Sequence, residues 1–242
     1  MQHRLLPAAT TSRHLIALLA AAAAALGIAL PTAPALADPA TSATLTLVTS
    51  FGASGGDGAI AIGGLVADKT GAFYGTTTAG GANGLGAVYM LTPPSSPFGA
   101  WTKRVIYSFA SGNDGRYSYY RLVVDSSGAL YGTTYQGGAA NAGTVFKLVR
   151  PAVGTRAWAE TQIYSFRGGN DGSSPGELII DGKGALYGTV RFGGAAGVGA
   201  VYKLSPPPAG ATNWTKSVLY SFAGGNDGAE PTGALPMALL CW

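Results

Sequence analysis

Ala129-Leu-Tyr-Gly-Thr-Thr134 is a stretch that this chain writes three times, since Leu130-Tyr-Gly-Thr returns as Phe73-Tyr-Gly-Thr and as Leu186-Tyr-Gly-Thr. Everything around it returns too. A Ser-Phe pair stands upstream at 50–51, 108–109, 165–166 and 221–222, in steps of 58, 57 and 56 residues. A fixed period with this much internal likeness is the mark of a module copied along one polypeptide, where neighbouring copies bury one another's apolar faces.

The second copy is the cleanest. In Trp101-Thr-Lys-Arg-Val-Ile-Tyr-Ser-Phe109, Val105, Tyr107 and Phe109 alternate with Arg104, Ile106 and Ser108, the period of two that predicts a half-buried strand. Asn113-Asp-Gly115 follows as a turn, because Asn and Asp bond their own backbone and Gly accepts positive φ. Leu122-Val-Val-Asp125 predicts a second strand, Ala129–Thr134 a third and Thr144–Leu148 a fourth. The third copy repeats this order from Trp158, and the first is looser, starting near Leu45 without a Trp. The repeats are read as about 45–100, 101–157, 158–213 and a partial 214–235. Pro-rich connectors of equal length join them, each placing Trp ten residues after Leu91, Leu148 or Leu204.

Four short antiparallel strands every 57 residues or so predict an all-β, propeller-like array of four-stranded blades. If each blade takes strands two to four of one copy and the first strand of the next, the chain builds about three blades and leaves one N-terminal strand spare. The Gly of Tyr-Gly-Thr sits inside a strand, where Gly weakens the ladder. Its recurrence predicts a bulge or a close backbone approach.

Arg4 and Arg13 precede an apolar run, Leu15 to Leu30, and Ala35-Leu-Ala37 supplies a small-x-small cleavage site. This order predicts a signal peptide over 1–37 and secretion, and sixteen apolar residues fall short of the roughly 20 that span a membrane. Cleavage would remove His3 and His14, the only histidines, and leave 13 of the 15 basic residues against 11 acids. Those basic residues are scattered, so neither nucleic acid nor a membrane span in the mature chain is expected. Cys241 is the sole cysteine and excludes an intrachain disulfide.

Taken together, Tyr-Ser-Phe-x-Gly-Gly-Asn-Asp-Gly, Leu-x-x-Asp-x-x-Gly-x-Leu-Tyr-Gly-Thr-Thr, Gly-Gly and Gly-Thr-Val-Phe-Lys-Leu resemble the GloVer tandem repeat over residues from about 45 to 235. That resemblance implies an exported bacterial repeat protein at the cell surface, often carrying a C-terminal sorting anchor. It brings no catalytic residues with it. After Leu235 the repeat stops, and Pro236 to Trp242 reads as an aberrant tail left by a frameshift or truncation. No anchor follows.

Without histidine, Ser-His and Cys-His nucleophile systems and the usual zinc ligands are missing from the mature chain. Asp57, Asp114, Asp171 and Asp227 precede Gly in turns, and Asp68, Asp125 and Asp181 close strands, so backbone bonding accounts for them better than catalysis or calcium. No cofactor is expected. Three acids break the repeat, Glu160, Glu177 and Glu230. The most individual stretch is Arg116-Tyr-Ser-Tyr-Tyr-Arg121, whose equivalents read Ala59–Gly64 and Ser173–Glu177. Arg116, Tyr117, Tyr119, Tyr120 and Arg121 are therefore the candidate ligand residues, offering rigid amphipathic rings to a surface glycan or a protein. The expected function is a non-enzymatic secreted or surface interaction module, with self-association closing the blade array. The alternatives are an extracellular polysaccharide-active enzyme on a propeller scaffold and a truncated fragment without present function.

Overall fold

A computed structural model describes residues 47–52, 56–96, 99–152 and 157–233. The expected signal peptide (1–37) and the tail (236–242) lie outside the described residues. Fourteen strands are present among them: β1 (Gly58–Ala59), β2 (Val66–Ala67), β3 (Phe73–Thr77), β4 (Ala79–Gly80), β5 (Ala87–Thr92), β6 (Thr102–Ser108), β7 (Val123–Val124), β8 (Leu130–Thr134), β9 (Thr144–Val149), β10 (Ala159–Ser165), β11 (Ser173–Ile180), β12 (Leu186–Phe192), β13 (Ala200–Ser205) and β14 (Thr215–Ser221). The only helical turns described are short 3-10 segments at Gly169–Asp171 and Gly225–Asp227, where Gly-Asn-Asp-Gly predicts turns.

The sheets pair as β2-β3-β5-β6, β7-β8-β9-β10 and β11-β12-β13-β14, all antiparallel. Each blade thus ends on the first strand of the following copy. Among the described residues of the expected spare N-terminal strand, 47–52 adopts no ladder, and nearby β1 pairs with β4.

The inner Gly has a different reason from the one expected. Toward the following strand no bulge occurs at Gly75, Gly132 or Gly188, each of which pairs in register with an aromatic residue, Tyr89, Phe146 or Tyr202. A Cβ on Gly132 would stand 2.5 Å from Phe146 Cζ, and one on Gly75 would stand 2.4 Å from Tyr89 Oη. The ring lies across the Gly. What crowds it is the neighbouring strand.

A bulge recurs instead on the last strand of each blade, and one further register slip lies on β11 between Pro175 and Leu178. Register slips between Val88 and Tyr89, between Gln162 and Tyr164, and between Val201 and Tyr202 leave Ile106, Ile163 and Leu219 without a partner. A bulge re-aims the extra side chain, so the simple alternation through Ile106 is broken. Ile106 becomes buried beside Phe109 and Leu122 of the second copy.

The core is therefore a seam between blades. Phe109 packs on Phe146 and Phe166 on Tyr202, both at 5.2 Å between ring centroids, and both phenylalanines are fully buried. Trp158 reaches back to Tyr74 at 5.8 Å and Trp214 to Tyr131 at 6.2 Å. Leu122 and Leu178 fill the matching positions. A polar bond accompanies each seam: Thr76 Oγ1 donates to Tyr120 O at 3.1 Å and Thr133 Oγ1 to Gly176 O at 3.0 Å.

Phe166→Ala should lower the free energy of unfolding by about 3–5 kcal/mol, measured by urea denaturation. Phe222→Ala, the equivalent change where no further sheet stands among the described residues, should stay within about 0.5 kcal/mol.

Candidate ligand-binding cleft

Loop 116–121 is shaped by its backbone. Tyr117 takes a left-handed φ of 61°, as Ile60, Ser174 and Glu230 do at the same register. Its N–H donates to Leu85 O, and its carbonyl accepts from Tyr135 N–H. Arg116 pairs with Gln136 as an isolated bridge, its Nε donates to Gln136 Oε1 at 3.1 Å, and its guanidinium lies 5.6 Å from the Tyr117 ring. These two residues are thereby committed to the blade surface. They stand apart from the cleft that the other three candidates line.

Tyr119, Tyr120 and Arg121 precede β7, which lies against β2 and β11 of the neighbouring blades. They line a cleft of about 730 Å³ with Ile62, Gly63, Gly64, Tyr135, Glu177 and Arg191. Position 121 corresponds to 64 and 177 in the other copies, and 135 to 191, so the cleft is built from repeat-equivalent positions. Tyr119 and Tyr135 meet edge to face at 5.4 Å and 89°. Arg121 Nε binds Glu177 Oε1 at 3.1 Å, and Arg191 binds Glu230 at 2.7 Å. Burial raises the Tyr120 phenol pKa, with Arg191 pulling the other way. A guanidinium carries five N–H donors, so each arginine keeps donors to offer beside its carboxylate. The cleft thus joins aromatic faces, hydroxyls and fixed fork donors.

Tyr135 and Arg191 were not marked by the sequence reading. The available signal was the residue following Tyr-Gly-Thr-x, which changes from Thr78 to Tyr135 to Arg191 between the repeated Tyr-Gly-Thr and Gly-Gly motifs.

The recurring carboxylates serve as corners. Asp125 accepts from Ser127 N and Oγ, from Ala129 N and from Tyr131 Oη. Asp68 and Asp181 are held alike by Tyr74 and Tyr187. Burial alone would raise the Asp68 carboxyl, but the Thr70 and Tyr74 hydrogen bonds outweigh it and hold it well below the usual range. Asp114, Asp171 and Asp227 take the hydroxyls of Tyr107, Tyr164 and Tyr220. Grooves of about 380 and 480 Å³ between successive strand-closing turns recur from blade to blade, as a seam would.

Glu160 is the exception. It occupies the position of Lys103 and Lys216, whose ammonium groups pair with Asp57 at 2.8 Å and Asp171 at 2.6 Å. Here a carboxylate faces Asp114, with Tyr107 bonded to that same Asp114 and Gln162 bonded to Asn113 O. Glu160 Oε1 is buried without a partner among the described residues. Burial first, and the Asp114 charge second, raise its pKa to about 7.

The model of the Gloeobacter/Verrucomicrobia repeat family matches residues 37–239, and the chain belongs to that family. No curated protein matches it.

Because the folded chain keeps the Glu160 proton that the unfolded chain gives up above an ordinary value of 4.5, stability should fall as pH rises from about 4.5 through about 7. The other acids with resolved shifts, Asp57, Asp68, Asp125, Asp171, Asp181 and Asp227, are all lowered. Their contributions fade only at more acidic pH. Glu160→Lys should restore the Lys–Asp pair, raise stability at pH 8 by about 1–3 kcal/mol and flatten the profile, as read by thermal melts across pH 4–9.

Proposed function

We propose that this member of the Gloeobacter/Verrucomicrobia repeat family is a non-enzymatic, exported interaction module whose inner cleft takes a surface glycan. The observation that carries the reading is the convergence of Tyr119, Tyr120 and Tyr135 with Arg121, Arg191 and Glu177 around one opening. Its volume of about 730 Å³ suits a ligand of a few sugar rings, within the roughly 300–1,000 Å³ of ordinary ligand sites. Sugars present C–H faces that pack on phenol rings and hydroxyls that bridge arginine and glutamate. Tyr also supplies this contact area at low entropic cost, having only two χ angles.

Several features favour binding over catalysis. Glu177 and Glu230 are each neutralised by an arginine, and the repeat carboxylates are occupied by backbone N–H and tyrosine hydroxyls. Export rests on the basic, apolar and small-x-small order of residues 1–37. Placement at the cell surface follows the same reading.

A glycan array probed with the 38–242 chain should show retained oligosaccharides. Tyr119→Ala with Tyr135→Ala should weaken that retention by roughly tenfold or more, about 1.4 kcal/mol or above, with circular dichroism unchanged. Arg116→Ala, outside the cleft, should leave it intact. Retention equal in all variants would remove the cleft from the reading.

A further inference from the structure

Among the described residues the two end sheets of the array differ, and each carries one half of the seam found between blades. At the C-terminal end, β14 shows Val218, Leu219 and Tyr220 at 47%, 51% and 48% exposure. Leu219 is the bulged residue equivalent to Ile106, which the next blade covers down to 9%. Phe222 and the turn Asp227 complete this edge, and among the described residues Asp227 is bound locally, by Tyr220 Oη and Ala223 N–H.

The N-terminal end is the receiving half. Leu65 is 43% exposed, whereas its equivalents Leu122 and Leu178 are 0% and 1% exposed. Residues 47–52, together with Asp57, occupy part of this face in the manner of a preceding blade's last strand and its turn. Phe51 packs on Tyr89 at 4.8 Å, and Lys103 lies over the Phe51 ring and pairs with Asp57. The same arrangement holds inside the array, with Phe166 on Tyr202 and Lys216 over Phe166 and paired with Asp171. The segment is a thin copy, however. Val48 and Thr49 stand where the complete seam has Ile106 and Tyr107, Val48 stays 41% exposed, and Leu65 remains uncovered.

We propose that two copies of this chain associate head to tail, β14 and its following turn on one copy displacing residues 47–52 from the blade-one face of the other. The contact continues an interface that the chain already makes twice. Leu219 would cover Leu65, Phe222 would replace Phe51 on Tyr89, and Asp227 would replace Asp57 at Lys103. Two such contacts close a ring of six blades, within the 4–8 that propellers use, and closure removes the free edges. Because 47–52 is tethered, it competes at high effective concentration. Weakening it should therefore strengthen the dimer.

Sedimentation equilibrium of the 38–242 chain tests this. Phe51→Ala should tighten dimerisation by roughly tenfold, the reach of about 1.4 kcal/mol. Leu219→Asp and Asp227→Lys, both at exposed positions, should return that variant to monomer with an unchanged circular dichroism spectrum. A chain that stays monomeric with and without Phe51→Ala overturns the proposal. So does a dimer indifferent to Leu219→Asp and Asp227→Lys.

Discussion

One phenylalanine per copy, pressed onto the aromatic ring of the following blade, is the contact on which this structure rests. Phe109 and Phe166 are fully buried, yet neither lies inside its own sheet's interior. Each four-stranded sheet buries its apolar face only because the next sheet is present. A large buried side chain contributes roughly 1.5–3 kcal/mol, and the seam gathers several: an aromatic pair, the bulged Ile106 or Ile163, Leu122 or Leu178, and a Trp reaching backwards. Stability here depends on adjacency. The bulge and the inner Gly both serve it, one by aiming an aliphatic chain outward and the other by letting an aromatic ring lie flat across the ladder.

Adjacency also explains what the polar residues do. A blade with so little charge, 11% across the chain, must fix its corners with few groups. Each strand-closing carboxylate accordingly gathers two backbone N–H groups and a tyrosine hydroxyl. The same tyrosine is the one in Tyr-Gly-Thr, so the motif ties a turn, a strand and a Trp contact together. Glu160 shows the constraint by breaking it: a Lys–Asp strap crosses the other seam between blades, and here two acids meet.

The architecture was legible because the repeat is long and its signals agree. Strand periodicity, Asn-Asp-Gly turns and equal Pro-rich connectors all give the same 57-residue unit, and the trade of first strands between blades follows from counting them. Two features were not legible. Register slips hide in the alternation around Ile106, since a bulge changes which face a residue takes without changing the residues. The crowding of Gly132 by Phe146 is a cross-strand relation, invisible until the strands are paired.

The cleft was half legible for a related reason. Arg116 to Arg121 stood out because it departs from the repeat, but the stretch divides after the positive φ at Tyr117. Arg116 and Tyr117 bond to Leu85, Tyr135 and Gln136, whereas Tyr119, Tyr120 and Arg121 line the cleft. Tyr135 and Arg191 join the three from a different strand end, one per blade, at a position the seam does not use. This divides the labour along the chain. Positions facing the next blade are held to one chemistry by packing, whereas positions facing the inner opening are free to vary between copies. Recognition in such an array draws on positions where neighbouring copies disagree, and residues 64, 121 and 177, with 135 and 191, are such positions brought to one cleft.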